Sequence, residues 1–253
     1  MFETLIFALA LNLVGFMIAY PLKTDKLTDI SYALTFFGIG LFNVLGNEMT
    51  VNKWLVVSVT WLWAIRLGSF LLYRVNKVGK DDRFDDMRSS FWLFGRFWLL
   101  QAITAWVVML PTSFFLQREQ NTEVSFVLFI GLGIAVVGLL IEAFADMQKF
   151  NFKMNKTNKG KWIDEGLWHY SRHPNYFGEI AMWSGVYVAV VSYLSENQPL
   201  YALASPVLIF VVLMFMSGVP ILERQADKKW GHLKSYREYK NSTSLVIPLP
   251  KKG

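Results

Sequence analysis

Long apolar blocks, separated by short charged connections, are the feature that most constrains this chain. Seven blocks reach the roughly 20 residues that a helix needs to cross a bilayer. With 54% hydrophobic residues, the chain is too apolar for an ordinary soluble domain. We therefore predict an all-α integral membrane protein, a single domain over 1–253 with seven transmembrane helices. The predicted spans are about 2–20, 28–46, 54–73, 91–114, 124–145, 177–194 and 200–220.

Lysine and arginine are distributed unevenly between the two sides of the predicted membrane. The first, third and fifth connections and the C-terminal tail carry 21 of them, whereas the opposite connections carry only Lys53 and Arg118. Because cytoplasmic segments accumulate these residues, we expect the N-terminus outside and the tail in the cytoplasm. The tail is too polar to span a membrane and aromatic enough to fold as short helices. No positive charge precedes the first block, which argues against a cleaved signal peptide.

Several classes of function are disfavoured by composition and motifs. The chain has no cysteine, so it has no disulfide, thiolate metal site or cysteine nucleophile. His169 and His173 are four residues apart, but Pro174 interrupts a helix through them and no further ligand pair follows, so we predict no metal site. The net charge of +6 comes from the connections, which indicates contact with membrane lipids rather than nucleic acid. Glycine-rich nucleotide fingerprints and G-x-S-x-G are absent.

The segment GLWHYSRHPNYFGE, residues 166–179, places polar groups at the start of a predicted membrane helix. Pro174 suits the first helical turn, so free backbone N–H groups there form a natural anion site. Polar groups at membrane depth indicate function, and we expect a polar, anionic ligand from the cytosol. The alternative is a helix cap beside an arginine that extends to the lipid headgroups. The predicted binding residues are Arg172, His173, Asn175, Tyr176 and Glu179.

A second cluster lies at the end of the fifth predicted span, in IEAFADMQKFNFK. Glu142, Asp146 and Lys149 or Lys153 recur every three or four residues and therefore share a helix face. They could bind ribose hydroxyls or an amino group. Ion pairs within the helix are the alternative.

Two further clusters complete the candidate site. Arg66 and Arg74 lie on one side of the third span, and we expect the charged loop after them to cover a phosphate-bearing ligand. This loop carries Lys77, Lys80, Arg83 and Arg88. In the tail, Glu223 and Arg224 are predicted to close the seventh span and to reach the same ligand. Tyr236 and Tyr239 are also predicted to bind this ligand, and with Trp230 they indicate that the tail is folded.

These motifs, together with SGVPILE…YREY…IP, resemble the membrane family with the DUF1295 domain. That family is related to steroid 5-alpha-reductases and, further off, to sterol C14-reductases. The resemblance implies a reductase that transfers hydride from NADPH to an activated C=C bond of a lipid or steroid-like substrate entering from the bilayer. Asn175, Glu179 and Asp146 then correspond to cofactor-contacting residues. Glu142 falls where the steroid reductases carry Asn, and Lys153 where they carry a phosphate-binding Arg.

The substrate half departs from the reductase pattern. Where steroid reductases use a Gln-Glu pair in the second span, this chain offers only Asp29, and Trp63 replaces their tyrosine. A tryptophan donates through its ring N–H but cannot pass on a proton as a phenol can. Asp29 and Trp63 are thus the candidate catalytic residues, and Asp29 would have to stay protonated near neutral pH to act as an acid. The alternative for Asp29 is a helix cap.

Two other functions stay open. Membrane methyltransferases that bind S-adenosylmethionine also carry RHPxYxG, followed by a tail rich in Glu and Tyr. Asn175, the context of Asp146, the seven predicted spans and the basic third loop favour the reductase. A lipid-binding or scaffolding protein that lost its chemistry is the third hypothesis. We expect a bacterial inner membrane protein whose cofactor site faces the cytoplasm, and the sequence indicates no protein partner.

Overall fold

The computed structural model describes residues 1–24, 26–78, 87, 89–119 and 124–251. Within these ranges the chain is helical, and no β-strand occurs there apart from an isolated bridge between Ser171 and Ser244. The helices are α1 (Phe2–Ala19), α2 (Lys26–Leu45), α3 (Val51–Val78), α4 (Phe91–Val108), α5 (Leu110–Leu116), α6 (Phe126–Met154), α7 (Pro174–Val191), α8 (Gln198–Val211), α9 (Val219–Trp230) and α10 (Lys234–Ser242).

Six helical segments of the described chain are long and apolar enough to cross a membrane. They are Phe2–Ala19, Lys26–Leu45, Val51–Lys77, Phe91–Val108, Phe126–Met154 and Gln198–Trp230. The prediction of an all-α membrane protein is thereby confirmed, whereas the count of seven spans and their orientation stay predictions. α7 is not among the six, because Pro174, Asn175 and Glu179 in its first turns lower its mean hydropathy.

Two predicted spans are interrupted. The predicted span 91–114 ends at Val108, and α5 starts anew because Pro111 has no N–H and its ring clashes with a preceding carbonyl. The predicted span 200–220 passes from α8 into a π-helical turn over Val212–Met216 and then bends at Gly218. Glu223 and Arg224, which were predicted to close the seventh span, lie beyond this bend in α9, within the candidate membrane segment Gln198–Trp230.

Contacts divide the chain into two compact units. Unit 1 comprises Met1–Leu132 and Val186–Ser205, and unit 2 comprises Gly133–Gly185 and Pro206–Gly253. The core of unit 1 contains large aromatic side chains, with Trp63 and Trp98 almost fully buried. Its buried polar side chains are largely neutral, and many of them bond one another.

A hydrogen-bonded chain of three such residues links α1, α2 and α4. The amide of Asn12 donates to Thr35 Oγ1 at 2.9 Å and accepts from Gln101 Nε2 at 2.9 Å. Within a bilayer, hydrogen bonds of this kind hold helices together.

In unit 2, glycines allow the backbones of α6 and α7 to touch. A Cβ atom built on Gly178 would lie 2.5 Å from Glu142 N and 2.6 Å from Gly138 O. Since real Cβ atoms do not approach so closely, glycine is required at position 178 for this packing. The close approach sets the polar end of α6 beside the first turns of α7.

Candidate functional site

A cavity of about 290 Å³ lies in unit 2, among the end of α6, the segment 161–173, α9 and α10. Its walls are basic and aromatic. The charged lining residues are Lys149, Lys153, Lys161, Arg172, Lys229 and Glu223. The aromatic lining residues are Phe152, Trp162, Trp168, Trp230, Tyr236 and Tyr239. With five cations against one carboxylate, the cavity suits an anionic ligand that carries planar rings.

Glu223 organises the cationic wall. It accepts hydrogen bonds from Arg172 Nη1 at 2.7 Å and from His173 Nε2 at 2.9 Å, and Lys240 Nζ lies 3.2 Å from it. The Glu223 and Arg172 side chains are only 18% and 13% exposed, so these bonds are well shielded from water. Because α9 carries Glu223, the fold of the tail determines where Arg172 points.

The protonation state of His173 follows from this environment. Burial lowers the pKa of His173, and Lys149 and Arg172 lower it further, whereas the hydrogen bond to Glu223 opposes them. The imidazole is therefore neutral near pH 7 and donates its Nε2–H to Glu223. Its ring also stacks on Tyr176, with centroids 5.4 Å apart and planes 8° from parallel.

Two tyrosines of α10, Tyr236 and Tyr239, also line the cavity. Burial raises the pKa of Tyr236, and it raises that of Tyr239 well above the ordinary value. Both phenols thus keep their protons, and the Tyr239 hydroxyl donates to Trp168 O at 3.1 Å. Trp162 meets both rings, at centroid distances of 5.2 Å and 6.2 Å.

Asn175 and Asp146 form a second polar pair, one helical turn from the cationic wall. Asn175 Nδ2 donates to Asp146 Oδ1 at 3.1 Å, which joins α7 to α6. The two residues, which the resemblance assigned to cofactor contact, thus lie side by side. On the same face of α6, Lys149 and Lys153 follow Asp146 at helical spacing and reach the cavity.

Three polar atoms beside the cavity are buried and have no hydrogen-bond partner among the described residues. They are Arg172 Nε, His173 Nδ1 and Asn175 Oδ1. Buried polar atoms are rarely left unbonded, and such groups call for an explanation in ligand binding or strain. Because Arg172 Nε donates while His173 Nδ1 and Asn175 Oδ1 accept, the cluster fits a ligand with both donors and acceptors.

The predicted binding residues of unit 2 fall into two sets. Those that line the cavity are Lys153, Arg172, His173, Glu223, Tyr236 and Tyr239. Those outside its lining are Glu142, Asp146, Asn175, Tyr176, Glu179 and Arg224. Arg224 is exposed on α9, so its predicted contact with the ligand gains no support. Glu142 is 4% exposed at the contact between α6 and α7.

Unit 1 contains the other predicted residues, Asp29, Trp63, Arg66 and Arg74. Arg74 Nη2 lies 3.4 Å from Asp29 Oδ2, in an ion pair that is about one-third exposed. A carboxylate engaged with a guanidinium is not poised to donate a proton, so the acid role of Asp29 stays a prediction that requires this pair to open. Trp63 is fully buried against the Phe36 ring at 4.8 Å.

Sequence reasoning missed part of the cavity wall. Lys161, Trp162 and Trp168 come from the connection between α6 and α7, whose composition KWIDEGLW is unusually aromatic for a charged loop. Lys149 Nζ lies 4.4 Å from the centroid of the Trp168 ring, a cation–π contact. The loop after α3 was expected to cover the ligand. Its residues Lys80, Arg83 and Arg88 lie outside the described residues.

Comparison with known proteins identifies the family of this chain, but no function is described for that family. No curated protein and no solved structure matches the chain significantly. One family matches residues 15–243, nearly the whole chain, and its description is "Protein of unknown function (DUF1295)". The chain therefore belongs to the DUF1295 family.

Proposed function

We propose that this protein is a membrane reductase that uses NADPH to reduce an activated C=C bond of a lipid or steroid-like substrate. The observation that carries the proposal is the cavity of unit 2, with five cations on aromatic walls. NADPH combines several phosphate groups with planar rings, so both of its features find matching groups there. The site would face the cytoplasm, where NADPH is available.

The residues present fit this cofactor. Arg172 offers a guanidinium suited to phosphate, and the lysines offer point charges on flexible stems. The unbonded Asn175 Oδ1 and His173 Nδ1 can accept from hydroxyl or amide groups, which ribose and carboxamide supply. When bound, NADPH supplies a hydride to the substrate carbon.

The chain's own residues would bind the cofactor and orient it. Glu223 holds Arg172 in place before the ligand arrives, which lowers the cost of ordering it on binding. The tryptophan and tyrosine side chains would pack against the planar rings of the cofactor. The proton that completes the reduction of a C=C bond must come from a separate donor, for which Asp29 remains the candidate.

Binding can separate this proposal from methyl transfer. The protein, purified in mild detergent, is titrated with NADPH and with S-adenosylmethionine by calorimetry. We expect NADPH to bind and its affinity to fall with added salt, since charged contacts are screened. S-adenosylmethionine carries a net positive charge and should be repelled. Binding of S-adenosylmethionine alone would overturn the proposal in favour of a methyltransferase.

A matched pair of variants locates the site. Changing Lys153 and Lys229 together to Met should weaken NADPH binding by about tenfold or more, because both line the cavity. The control changes Lys156 and Lys159 to Met; these exposed lysines lie just after α6 but outside the lining. Equal losses in both pairs would show a nonspecific charge effect and would remove the site from this cavity.

Hydride transfer is tested separately. NADPH deuterated at its reducing position is incubated with the protein and a total membrane lipid extract, and the lipids are read by mass spectrometry. A reductase places deuterium on carbon in one lipid class. Tight NADPH binding without any labelled product, over a broad panel of unsaturated lipids, would favour the non-enzymatic alternative.

A further inference from the structure

The last described residues, 244–251, lie against the segment that carries Arg172 and His173. We call residues 244–251 the C-terminal strap. Arg172 N donates to Ser244 O at 2.9 Å, and Leu249 N donates to Tyr170 O at 3.1 Å. Ser171 and Ser244 form a parallel bridge. Backbone bonds therefore tie the strap to both sides of Ser171.

Ser171 is the centre of this contact. Its hydroxyl donates to Val246 O at 2.7 Å and accepts from His173 N at 3.1 Å. The side chain is fully buried. A single hydroxyl thus connects the strap to the backbone of a residue that lines the cavity.

A polar clasp fixes the far end of the strap. Lys251 Nζ lies 2.8 Å and 2.9 Å from the two carboxylate oxygens of Asp164, and 5.4 Å from the centroid of the Tyr239 ring. Asp164 lies within the segment 161–173 directly after the lining residue Ile163, and Tyr239 belongs to the cavity wall. The clasp therefore joins the strap to two sides of the site.

The strap and Ser171 supply hydrogen-bond acceptors that the local backbone lacks. Arg172 and His173 precede α7, so no helical turn holds their N–H groups, and both of these N–H groups bond to the strap or to Ser171 instead. We infer that Ser171 and Lys251 are positioning residues, which act through the strap to orient Arg172 and His173 for an anionic ligand. The ligand part of this inference rests on the proposed function.

The first test needs no ligand. Hydrogen exchange, read by mass spectrometry on peptides covering 167–177, compares the wild type with Ser171→Ala and Lys251→Met. We expect exchange of the Arg172 and His173 amides to rise by about tenfold in Ser171→Ala, because an acceptor is lost and the strap is loosened. Lys251→Met should give a smaller rise in the same peptides, and Lys251→Arg should restore protection. Unchanged exchange in both variants overturns the inference.

The second test asks whether the effect passes through Arg172. NADPH affinity is measured for Ser171→Ala, Arg172→Met and the double variant. A positioning residue loses its effect once its target is gone, so Ser171→Ala should weaken binding about tenfold in the wild type and hardly at all beside Arg172→Met. Additive losses would mean a merely structural serine and would overturn the positioning role.

Controls keep the two proposals separate. Ser242→Ala and Lys234→Met change the same residue types in α10, where Lys234 is 86% exposed, and should leave exchange and affinity unchanged. If Ser171→Ala does not fold, the Lys251 variants decide the outcome. If the wild type binds no NADPH, the proposed function fails, and the exchange experiment alone then decides whether the strap orients Arg172 and His173.

Discussion

Unit 1 and unit 2 both bury polar groups, but they satisfy them differently. In unit 1, neutral amides and hydroxyls bond one another across helices, as Asn12 does with Thr35 and Gln101. Trp98 Nε1 and Thr112 Oγ1 are exceptions, since neither atom has a hydrogen-bond partner in the described part of the chain. In unit 2, by contrast, charged groups converge on Glu223 beside a basic cavity.

The two units show two uses of buried polar groups. Those of unit 1 hold helices together, whereas those of unit 2 can bind a ligand. Neutral groups that already bond one another have little to gain from a ligand. A cationic wall, with buried atoms that find no partner within the described ranges, gains a great deal from an anion. Each prediction below tests this division, in order of expected effect.

Glu223→Gln should have the largest effect on stability. Without the carboxylate, Arg172, His173 and Lys240 lose their common partner, and a mostly buried guanidinium is left uncompensated. We expect the free energy of unfolding to fall by about 3 kcal/mol, measured by denaturant unfolding in detergent. The matched control is Glu238→Gln, whose 66% exposed carboxylate should contribute less than about 0.5 kcal/mol. Equal effects would contradict the central role of Glu223.

Gly178→Ala should have the second largest effect on stability. Its Cβ would meet backbone atoms of Glu142 and Gly138 that cannot move aside easily, so α6 and α7 must separate. We expect a loss of about 2 kcal/mol in unfolding free energy. The control is Gly133→Ala on α6, where nothing lies within 4 Å and a better helix propensity should give a small gain. If the two variants melt alike, the close approach does not stabilise unit 2.

Gln101→Leu tests the neutral hydrogen-bonded chain of unit 1. It removes the donor to Asn12 Oδ1 in unit 1 and should cost about 1 kcal/mol of unfolding free energy. NADPH affinity, measured by the same calorimetry, should stay at the wild-type value. The exposed neighbour Leu100, changed to Met, serves as control. A clear loss of affinity in Gln101→Leu would break the division between the two units.

The pH dependence of stability should show the smallest effect. Burial lowers the pKa of His173 from 6.5, so between that value and its folded-state pKa the unfolded chain binds a proton that the folded chain does not. Stability is therefore complete above about pH 6.5 and declines as the pH falls through this window. The groups that face His173 are Lys149, Arg172, Glu223 and Tyr176.

Thermal melts of the wild type and His173→Gln, from pH 8 to pH 5, measure this dependence. The difference in melting temperature between the two proteins should change with pH in the stated direction. Parallel curves would mean that His173 does not titrate differently in the folded protein.

The sequence predicted those parts of the structure that depend on local pattern. Pro174 does begin a helix, Glu142, Asp146 and Lys153 do lie on one continuous helix, and the tail does fold as helices. The breaks near Met109 and Gly218 were missed because the apolar composition continues through them, although Pro111 and Pro220 were visible signals.

The cavity walls could not be predicted in the same way. Trp162, Trp168 and Trp230 come from distant stretches of sequence, and only the packing of α9 and α10 against the segment 161–173 brings them together. Glu223 could be proposed as a ligand contact, but its bonds to Arg172 and His173 depend on the bend that frees α9 from α8. Long-range contacts of this kind leave no periodic signal in one sequence.

The tryptophans of the cavity give the site a built-in optical reporter. Trp162, Trp168 and Trp230 line one small volume, and Lys149 lies over the Trp168 ring. A dihydronicotinamide absorbs light in the range where tryptophan emits, so its arrival should quench their fluorescence and excite its own. A lysine drawn away from Trp168 by a phosphate would shift the emission of that indole as well. Occupancy of the site can thus be followed in real time without attaching any dye.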